Sequence, residues 1–326
     1  MPREHDNREP SAGDAAIEVR SLCKTYPGGV EAVRDISFDV EPGEVFGLLG
    51  PNGAGKSTTI GVLTTTVRST SGTARVAGYD VATRPLDARA VSSVVFQDQV
   101  LDAALTGRRH LDIHARLWGV ARAVAAARID DVAATLGAAD ILDRPVGTYS
   151  GGQRRRLEIA RALVSLPRVL FLDEPTVGLD PRIRHQLIDT IAALRARDGM
   201  TILLTTHYLD EAERLCDRVA IVHEGRIVAL DTPSTLLGEL GNEVVEVRVA
   251  ADGDSALAVL RARRLAGDDA FAVGGTVTIP MRNGDAPQTV ADIRELGIGT
   301  TAISARPPSL DDVYLRLTGA RIAAAA

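Results

Sequence analysis

The chain has 326 residues, of which 45 % are hydrophobic, and this length allows one large α/β domain together with a smaller one. Its formal net charge of −6 gives no basic footprint for nucleic acid, so no nucleic-acid partner is expected. No stretch approaches the roughly 18 apolar residues that a membrane-spanning helix needs. Residues 1–15 are polar and lack the apolar core of a signal peptide, which predicts a disordered tail on a cytoplasmic protein.

Hydrophobic patterns in the first two thirds of the chain alternate between strand and helix. They predict strands over 17–22, 33–40, 45–49, 91–96, 169–172, 201–205 and 219–223. Alanine, leucine and arginine at helical spacing predict helices from about 105 to 142, and further helices lie between the later strands. Strands that alternate with helices predict an α/β fold with a largely parallel, mixed sheet and a helical subdomain inserted at about 98–150.

The pattern changes near 238–242, and a second series of elements follows. It comprises, in order, a strand over 243–250, a helix over 254–265, strands over 270–273 and 276–281, a helix over 287–296, a strand over 300–305 and a helix over 309–317. The order β-α-β-β-α-β is that of a ferredoxin-like unit. We therefore expect a large domain over 16–237, a C-terminal accessory α+β domain over 243–319 and a tail over 320–326.

A phosphate-binding loop is predicted where an apolar strand meets a helix. Residues 50–58 read Gly-Pro-Asn-Gly-Ala-Gly-Lys-Ser-Thr and fit the pattern GxxxxGK[ST]. The glycines let backbone N–H groups point at phosphate oxygens, and the helix adds the positive end of its dipole. Lys56 can reach the β- and γ-phosphates, and the Ser57 hydroxyl can bind Mg²⁺. A glycine-rich turn that binds nothing is the alternative.

All nine residues of this loop are expected to bind nucleotide, namely Gly50, Pro51, Asn52, Gly53, Ala54, Gly55, Lys56, Ser57 and Thr58. Composition supports the role of the lysine in particular. Arginine occupies nearly every basic position of the chain, and the two lysines are Lys24 and Lys56. Lysine at position 56 therefore indicates a site that needs a compact ammonium group rather than a planar guanidinium.

A pair of acidic residues follows the apolar strand at 169–172. Ligands bind beyond the carboxyl ends of parallel strands, so Asp173 is expected to reach the metal directly or through water. Glu174 is expected to orient the water that attacks the γ-phosphate or to accept its proton. The alternative is a pair of acids that caps the next helix. The apolar strand before the pair, and the phosphate loop elsewhere in the chain, favour the catalytic interpretation.

A second anion site is predicted at residues 150–153, which read Ser-Gly-Gly-Gln before an apolar-periodic helix. Ser150 is a good helix N-cap, and Gly151 and Gly152 leave backbone N–H groups accessible. An ordinary capped helix is the alternative for such a short pattern. The arginine run at 154–156 is interpreted as a solvated face rather than a lipid site. His110 and His114 are likewise interpreted as a solvated helix face, because no third zinc ligand accompanies them.

The motif set resembles that of the ATP-binding-cassette (ABC) family over about residues 17–235. Its members are the phosphate loop, Gln97, Ser150–Gln153, the Asp173-Glu174 pair, Gly178-Leu179-Asp180 and His207, in the family's order. The resemblance implies that ATP and Mg²⁺ are the cofactors and that two copies form a head-to-tail homodimer. Each ATP is then sandwiched between the phosphate loop of one subunit and residues 150–153 of the other.

The resemblance also implies roles for single residues. Tyr26 matches the residue that stacks on adenine, Gln97 matches the glutamine that touches metal or water and senses the membrane partner, and His207 matches the histidine at the γ-phosphate. Asp180 matches the acid that links the two sites across the dimer. The expected catalytic residues are thus Glu174, His207 and Gln97, and the expected metal ligands are Ser57, Gln97 and Asp173. Tyr149 departs from the leucine of many members, outside the phosphate-contacting residues.

A closer resemblance is to the ATPase subunits of daunorubicin-resistance exporters. It rests on Phe96-Gln97-Asp98-Gln99, on Leu105-Thr106-Gly107 and on residues 310–315, which read Leu-Asp-Asp-Val-Tyr-Leu. It implies an ATPase that binds a separate membrane permease on the cytoplasmic face and drives export of a hydrophobic, drug-like compound. The alternative is a non-transport cassette ATPase that acts on ribosomes or DNA. A third interpretation makes the C-terminal domain a small-molecule regulatory module, and a permease contact or a dimer contact is an equal alternative for it.

Overall fold

The computed structural model describes residues 15–98, 100–250, 252–282 and 285–320. Gln99 and the two expected tails, apart from Ala15 and Ala320, lie outside the described residues. The strands are β1 (Ile17–Thr25), β2 (Glu31–Val40), β3 (Val45–Leu49), β4 (Ser71–Val76), β5 (Tyr79–Asp80), β6 (Ser92–Val95), β7 (Val169–Asp173), β8 (Thr201–Thr206), β9 (Arg218–His223), β10 (Arg226–Asp231), β11 (Glu243–Val249), β12 (Phe271–Val273), β13 (Thr276–Met281) and β14 (Thr300–Arg306). The helices are α1 (Lys56–Leu63), α2 (Pro85–Ala90), α3 (Gly107–Leu117), α4 (Arg122–Thr135), α5 (Gly151–Val164), α6 (Pro181–Asp198), α7 (Leu209–Leu215), α8 (Pro233–Gly238), α9 (Gly253–Ala262), α10 (Ala286–Glu295) and α11 (Leu310–Thr318).

The predicted α/β class is confirmed, and each strand predicted from the hydrophobic pattern is present within a few residues of its expected bounds. The pattern missed β4, β5, β10, α2 and α8, which are two to six residues long. Such elements offer too few residues for a period to emerge. Among the described residues, no helix combines the length and the apolar character that a bilayer crossing needs.

The first of two compact units contains the residues up to His207 together with Leu215–Ile227. Its central strands are neighbours in the order β9-β3-β8-β7-β6, and all five run parallel. All residues of β3, β7 and β8 are buried. A separate antiparallel sheet has the order β2-β1-β4-β5. Because parallel strands end at one edge, the segments that follow β3, β7 and β8 are brought together there.

The predicted helical subdomain is built by α3, α4 and α5, which pack on one another. Their contact is apolar, with Leu111, Ile129 and Leu157 fully or almost fully buried. Thr106 caps α3 by accepting a hydrogen bond from the Arg109 backbone N–H at 3.2 Å. Helix α5 contributes its apolar stripe to this packing.

The expectation of a solvated face at His110 and His114 is wrong for His114. Its ring stacks on Trp118 with centroids 4.2 Å apart, and its Nε2 atom is buried. Burial, with a smaller effect of the Arg161 charge, lowers the pKa of His114 from its ordinary 6.5 to about 4. His110 instead places Nε2 3.0 Å from the Asp102 carbonyl oxygen. The two rings thus have different surroundings although they lie on one helix.

The pKa of His114 predicts a pH-dependent stability. Between pH 6.5 and about 4, His114 binds a proton in the unfolded chain but not in the folded one. Its contribution to the free energy of unfolding is therefore fully present above pH 6.5 and is lost as the pH falls from 6.5 to about 4. We expect His114→Phe to keep the stack and remove this titration. When the pH is lowered from 7.5 to 4, the Tm of His114→Phe should fall by about 2–4 °C less than the Tm of the wild type. His185→Phe, a surface change of the same kind, is the control, and equal pH profiles for His114→Phe and wild type would contradict the assignment.

The second compact unit contains Tyr208–Arg214 and the residues from Val228 onward. Its antiparallel sheet has the order β12-β13-β11-β14 and a buried core that includes Val245, Leu260 and Ile293. The element order β-α-β-β-α-β is the one expected from the sequence. The unit also contains α8, which packs on α11.

Candidate functional site

The phosphate loop wraps tightly because three of its residues are glycines with positive φ angles. At Gly50, φ is 151°, and a Cβ atom would lie 2.2 Å from the Val222 carbonyl oxygen. At Gly55, φ is 106°, and a Cβ atom would lie 2.3 Å from the Ala32 carbonyl oxygen. No side chain fits at either position, so the glycines are required by both space and backbone conformation. Helix α1 begins directly afterwards at Lys56.

Lys56 lies inside the loop and is 4 % exposed. Its Nζ atom donates to the carbonyl oxygens of Gly50 at 2.7 Å and Pro51 at 3.1 Å, and it lies 3.2 Å from Glu174 Oε1. Burial lowers the pKa of the Lys56 ammonium below its usual range, whereas the charges of Glu174 and Asp173 act in the opposite direction. The ammonium group is therefore held at the centre of the loop, where a guanidinium would need more space.

Asp173 lies at the carboxyl end of β7 and forms two hydrogen bonds through the same oxygen. Its Oδ1 atom accepts from Ser57 Oγ at 3.0 Å and from Thr205 Oγ1 at 2.6 Å. Thr205 is opposite Asp173 in the parallel register of β7 and β8. No sequence motif indicated Thr205, although its place at the end of a predicted apolar strand was a usable signal. These contacts bring the two expected metal ligands Ser57 and Asp173 together.

Glu174 is buried and connects the phosphate loop to His207. Its Oε1 atom pairs with Lys56, and its Oε2 atom lies 3.1 Å from His207 Nδ1. Its φ angle is +46°, a left-handed conformation that is unfavourable for a residue with a Cβ atom. The backbone N–H of Glu174 donates to Thr205 Oγ1 at 2.9 Å. The fold therefore holds the backbone of Glu174 in a strained conformation and its carboxylate beside the loop.

Nine of the nineteen predicted site residues line one cavity of about 410 Å³. The predicted residues on its wall are Tyr26, Asn52, Gly53, Gly55, Lys56, Ser57, Thr58, Gln97 and Glu174. Tyr26 Oη lies 3.4 Å from Thr58 Oγ1, and Lys24 Nζ lies 4.8 Å from the centre of the tyrosine ring. The wall also contains Val30, Glu31 and Ala32, which no sequence motif indicated. This cavity suits a ligand with a phosphate group at the loop and a ring near Tyr26.

The Ser-Gly-Gly-Gln segment does not line this cavity. The Ser150 hydroxyl accepts from the Gln153 backbone N–H at 3.3 Å, and Gln153 Oε1 accepts from the Ser150 N–H at 2.9 Å, which is a capping box. Asp180 caps α6 by accepting from the Ile183 backbone N–H at 3.0 Å. Within one chain, these residues therefore complete helix ends.

The expectation of a solvated face at 154–156 is wrong for Arg155, which is 3 % exposed. Helix α5 turns Arg155 toward the same side as Ile159 and Ala162, both buried. The spacing i, i+4, i+7 was a sequence signal for burial that a run of three arginines concealed. Arg154 and Arg156 are partly exposed.

Comparison with known proteins gives the family of the chain. Residues 33–177 match the family model described as ABC transporter. The chain is 41 % identical over 310 residues to the daunorubicin/doxorubicin resistance ATP-binding protein DrrA of Streptomyces peucetius, covering 93 % of this chain and 92 % of that protein. It is 39 % identical to the Nod factor export ATP-binding protein I of Paraburkholderia xenovorans, covering 94 % of this chain and 98 % of that protein.

Solved structures agree with this result. An ATP-binding subunit of an ABC transporter is 31 % identical and superposes with a TM-score of 0.62, covering 69 % of this chain and 92 % of that one. CbiO1 of Clostridium perfringens, part of the ABC transporter complex cbiONQ, is 27 % identical with a TM-score of 0.65, covering 77 % and 96 %. The phosphate loop with its buried lysine, the carboxylates beside it and these similarities together show that the chain belongs to the ABC family as an ATP-hydrolysing transporter subunit.

Proposed function

We propose that this subunit hydrolyses ATP with Glu174 as the general base and drives export of a hydrophobic, drug-like compound. The observation that carries the catalytic proposal is the contact of Glu174 with both Lys56 and His207, at 3.2 and 3.1 Å. Lys56 would hold the β- and γ-phosphates, and His207 would contact the γ-phosphate. Glu174 would accept the proton of the attacking water, for which position and charge matter more than covalent chemistry.

Mg²⁺ fits the donor set beside the loop. Ser57 Oγ and Asp173 Oδ1 are oxygen donors 3.0 Å apart, and Gln97 adds an amide on the same cavity wall. Mg²⁺ prefers such oxygen ligands and keeps several waters, so few protein ligands suffice. When bound with ATP, the ion would neutralise charge on the β- and γ-phosphates. Thr205 would fix the Asp173 carboxylate through its 2.6 Å hydrogen bond.

A homodimer is part of the proposal. Residues 150–153 form the start of α5, with Gly151 exposed and Gly152 partly exposed, and they do not line the cavity that contains Lys56. We propose that they meet the ATP bound to a second copy, with Asp180 near the dimer contact. This head-to-tail arrangement accounts for two anion sites in one chain.

The proposal of export rests on the relatives. One is described as a daunorubicin/doxorubicin resistance ATP-binding protein and another as a Nod factor export ATP-binding protein. Each aligns with more than nine tenths of this chain. We propose that the chain binds a separate membrane permease and thereby lies on the cytoplasmic face of the membrane.

The proposed permease-binding surface lies beside Gln97. A cavity of about 450 Å³ is lined by Phe96, His114, Trp118, Arg89 and Arg161, among others. Trp118 is 42 % exposed, although large apolar side chains are usually buried. An aromatic cleft with two arginines suits a cytoplasmic permease helix that presents an apolar face and acidic side chains. Phe96 precedes Gln97 directly, so movement of the bound helix can reach the site.

Co-purification tests this proposal. The tagged chain, isolated from native membranes in mild detergent, is expected to bring a stoichiometric polytopic membrane protein. Trp118→Ala should weaken this association by about 2 kcal/mol or more, as for an aromatic anchor at an interface. Leu166→Ala, an exposed apolar side chain elsewhere, is the matched control. A chain that brings ribosomes or nucleic acid contradicts the exporter proposal, and an unchanged yield with Trp118→Ala contradicts only the surface.

A further inference from the structure

The buried Arg155 guanidinium joins two segments that carry proposed catalytic residues. Its five contacts equal the five N–H groups of a guanidinium, so every donor has an acceptor. The acceptors are the carbonyl oxygens of Phe96 (2.6 Å), Asp173 (3.1 Å), Glu174 (3.2 Å) and Pro175 (2.7 Å), and the Glu158 carboxylate (3.1 Å). Three consecutive carbonyl groups, from the last residue of β7 onward, are thus bound by one side chain of α5.

These carbonyl groups belong to the strained turn at Glu174. A residue with a Cβ atom adopts φ near +46° only where its surroundings impose it. The Thr205 hydroxyl holds the N–H of Glu174, and Arg155 holds its carbonyl group. The position of the carboxylate relative to Lys56 and His207 therefore depends on both contacts.

Glu158 extends the connection to the other side of Gln97. Its Oε2 atom pairs with Arg155, and its Oε1 atom accepts from the Val100 backbone N–H at 3.1 Å. Arg161 donates to the Val100 carbonyl oxygen at 2.8 Å. Residues Phe96 and Val100, which flank Gln97, are therefore both bound by side chains of α5.

Burial of this ion pair needs an explanation other than stability. Arg155 and Glu158 are each 3 % exposed, and removing two charges from water costs about as much as their attraction returns. Apolar side chains of similar volume would fill the same space without that cost. What they could not supply is the fixed fork of donors that holds four backbone carbonyl groups at once.

We propose that Arg155, held by Glu158, is a positioning residue for hydrolysis, which fixes Glu174 and couples its place to the segment containing Gln97. The proposal rests on the proposed roles of Glu174 and Gln97. Among the described residues, the backbone acceptors of Arg155 lie on the segments of Gln97 and Glu174 and not in the phosphate loop. Loss of its geometry should therefore affect the rate of hydrolysis and leave ATP binding in place.

Arg155→Lys in the full chain tests the proposal, because lysine keeps the charge beside Glu158 but lacks the fork. We expect a roughly 10- to 100-fold lower kcat, since a displacement of about 1 Å can cost about 100-fold. The KM for ATP should stay within about twofold, which separates loss of positioning from loss of binding. Arg156→Lys, the same change one position along, is the control, since Arg156 contacts Gln186 and the Gly137 carbonyl group instead.

A second variant covers the case in which Arg155→Lys lowers the Tm. Arg155→Met combined with Glu158→Met replaces the pair with apolar side chains and should keep the fold. Its kcat should fall as in Arg155→Lys. Suppose that the wild type is active. A folded variant that keeps the wild-type kcat, or one that raises KM and leaves kcat unchanged, then overturns the role of Arg155 alone. A wild type that does not hydrolyse ATP overturns the proposed function and this inference with it.

Discussion

ATP hydrolysis by Glu174→Gln is expected to fall by about 10²- to 10⁴-fold, the usual contribution of a general base. Glutamine has nearly the same shape, so it can still accept from Lys56 and face His207 Nδ1, which now lie 3.2 and 3.1 Å from the carboxylate. ATP affinity should be unchanged or higher, because the amide no longer competes with phosphate for the Lys56 charge. Steady-state ATPase assays and nucleotide titration measure the two quantities separately.

The same variant is expected to accumulate an ATP-bound dimer. If closure requires bound ATP and opening requires hydrolysis, a chain that binds without hydrolysis should elute as a dimer when MgATP is present. Glu41→Gln is the matched control, because Glu41 is exposed and precedes β3, at the opposite end of that strand from the phosphate loop. Hydrolysis by Glu174→Gln at the wild-type rate would show that another group activates the water.

Lys56→Ala is expected to remove most of the affinity for ATP. Nζ is fixed by Gly50, Pro51 and Glu174 within the loop, where it can form charge-assisted hydrogen bonds with phosphate oxygens. Hydrogen bonds to charged groups are worth about 1.5–3 kcal/mol each. Loss of one such bond lowers the affinity by roughly 10- to 150-fold, as measured by calorimetric titration with MgATP.

Lys56→Arg separates charge from shape. The guanidinium keeps the charge, but it must fit between two loop carbonyl groups in a position that is 4 % exposed. We expect a loss of affinity close to that of Lys56→Ala, whereas recovery of wild-type affinity would show that charge alone suffices. The control is Arg263→Ala, which removes the charge of an exposed arginine in the second compact unit. Unchanged affinity in Lys56→Ala would exclude Lys56 from the site.

Sequence motifs were most informative where the chemistry is contiguous in the chain. The nine residues of the phosphate loop and the Asp173-Glu174 pair each follow an apolar strand, and the structure places both at one edge of the parallel sheet. That edge is common to the strands by geometry, so the meeting of Ser57 with Asp173 could be expected from the pattern alone.

The side-chain contacts around these motifs were not predictable from local pattern. Thr205 has no motif, yet it binds both the Asp173 side chain and the Glu174 backbone because β7 and β8 are in register. His114 and Arg155 were both expected to face solvent, and both are held in less solvated positions. Composition predicts exposure for such residues on average, whereas the packing of α3 and α5 decides it in each case.

The sequence by itself determined the α/β class, the phosphate loop, the order of the strands along the chain and the acids at the end of β7. These depend on hydrophobic period, glycine conformation and residue order, which are local properties. Only the tertiary structure decided that Glu174 contacts Lys56 and His207 together and that Arg155 binds the segments on either side. Such contacts join residues far apart in the chain, and their distances follow from how strands and helices pack rather than from any local pattern.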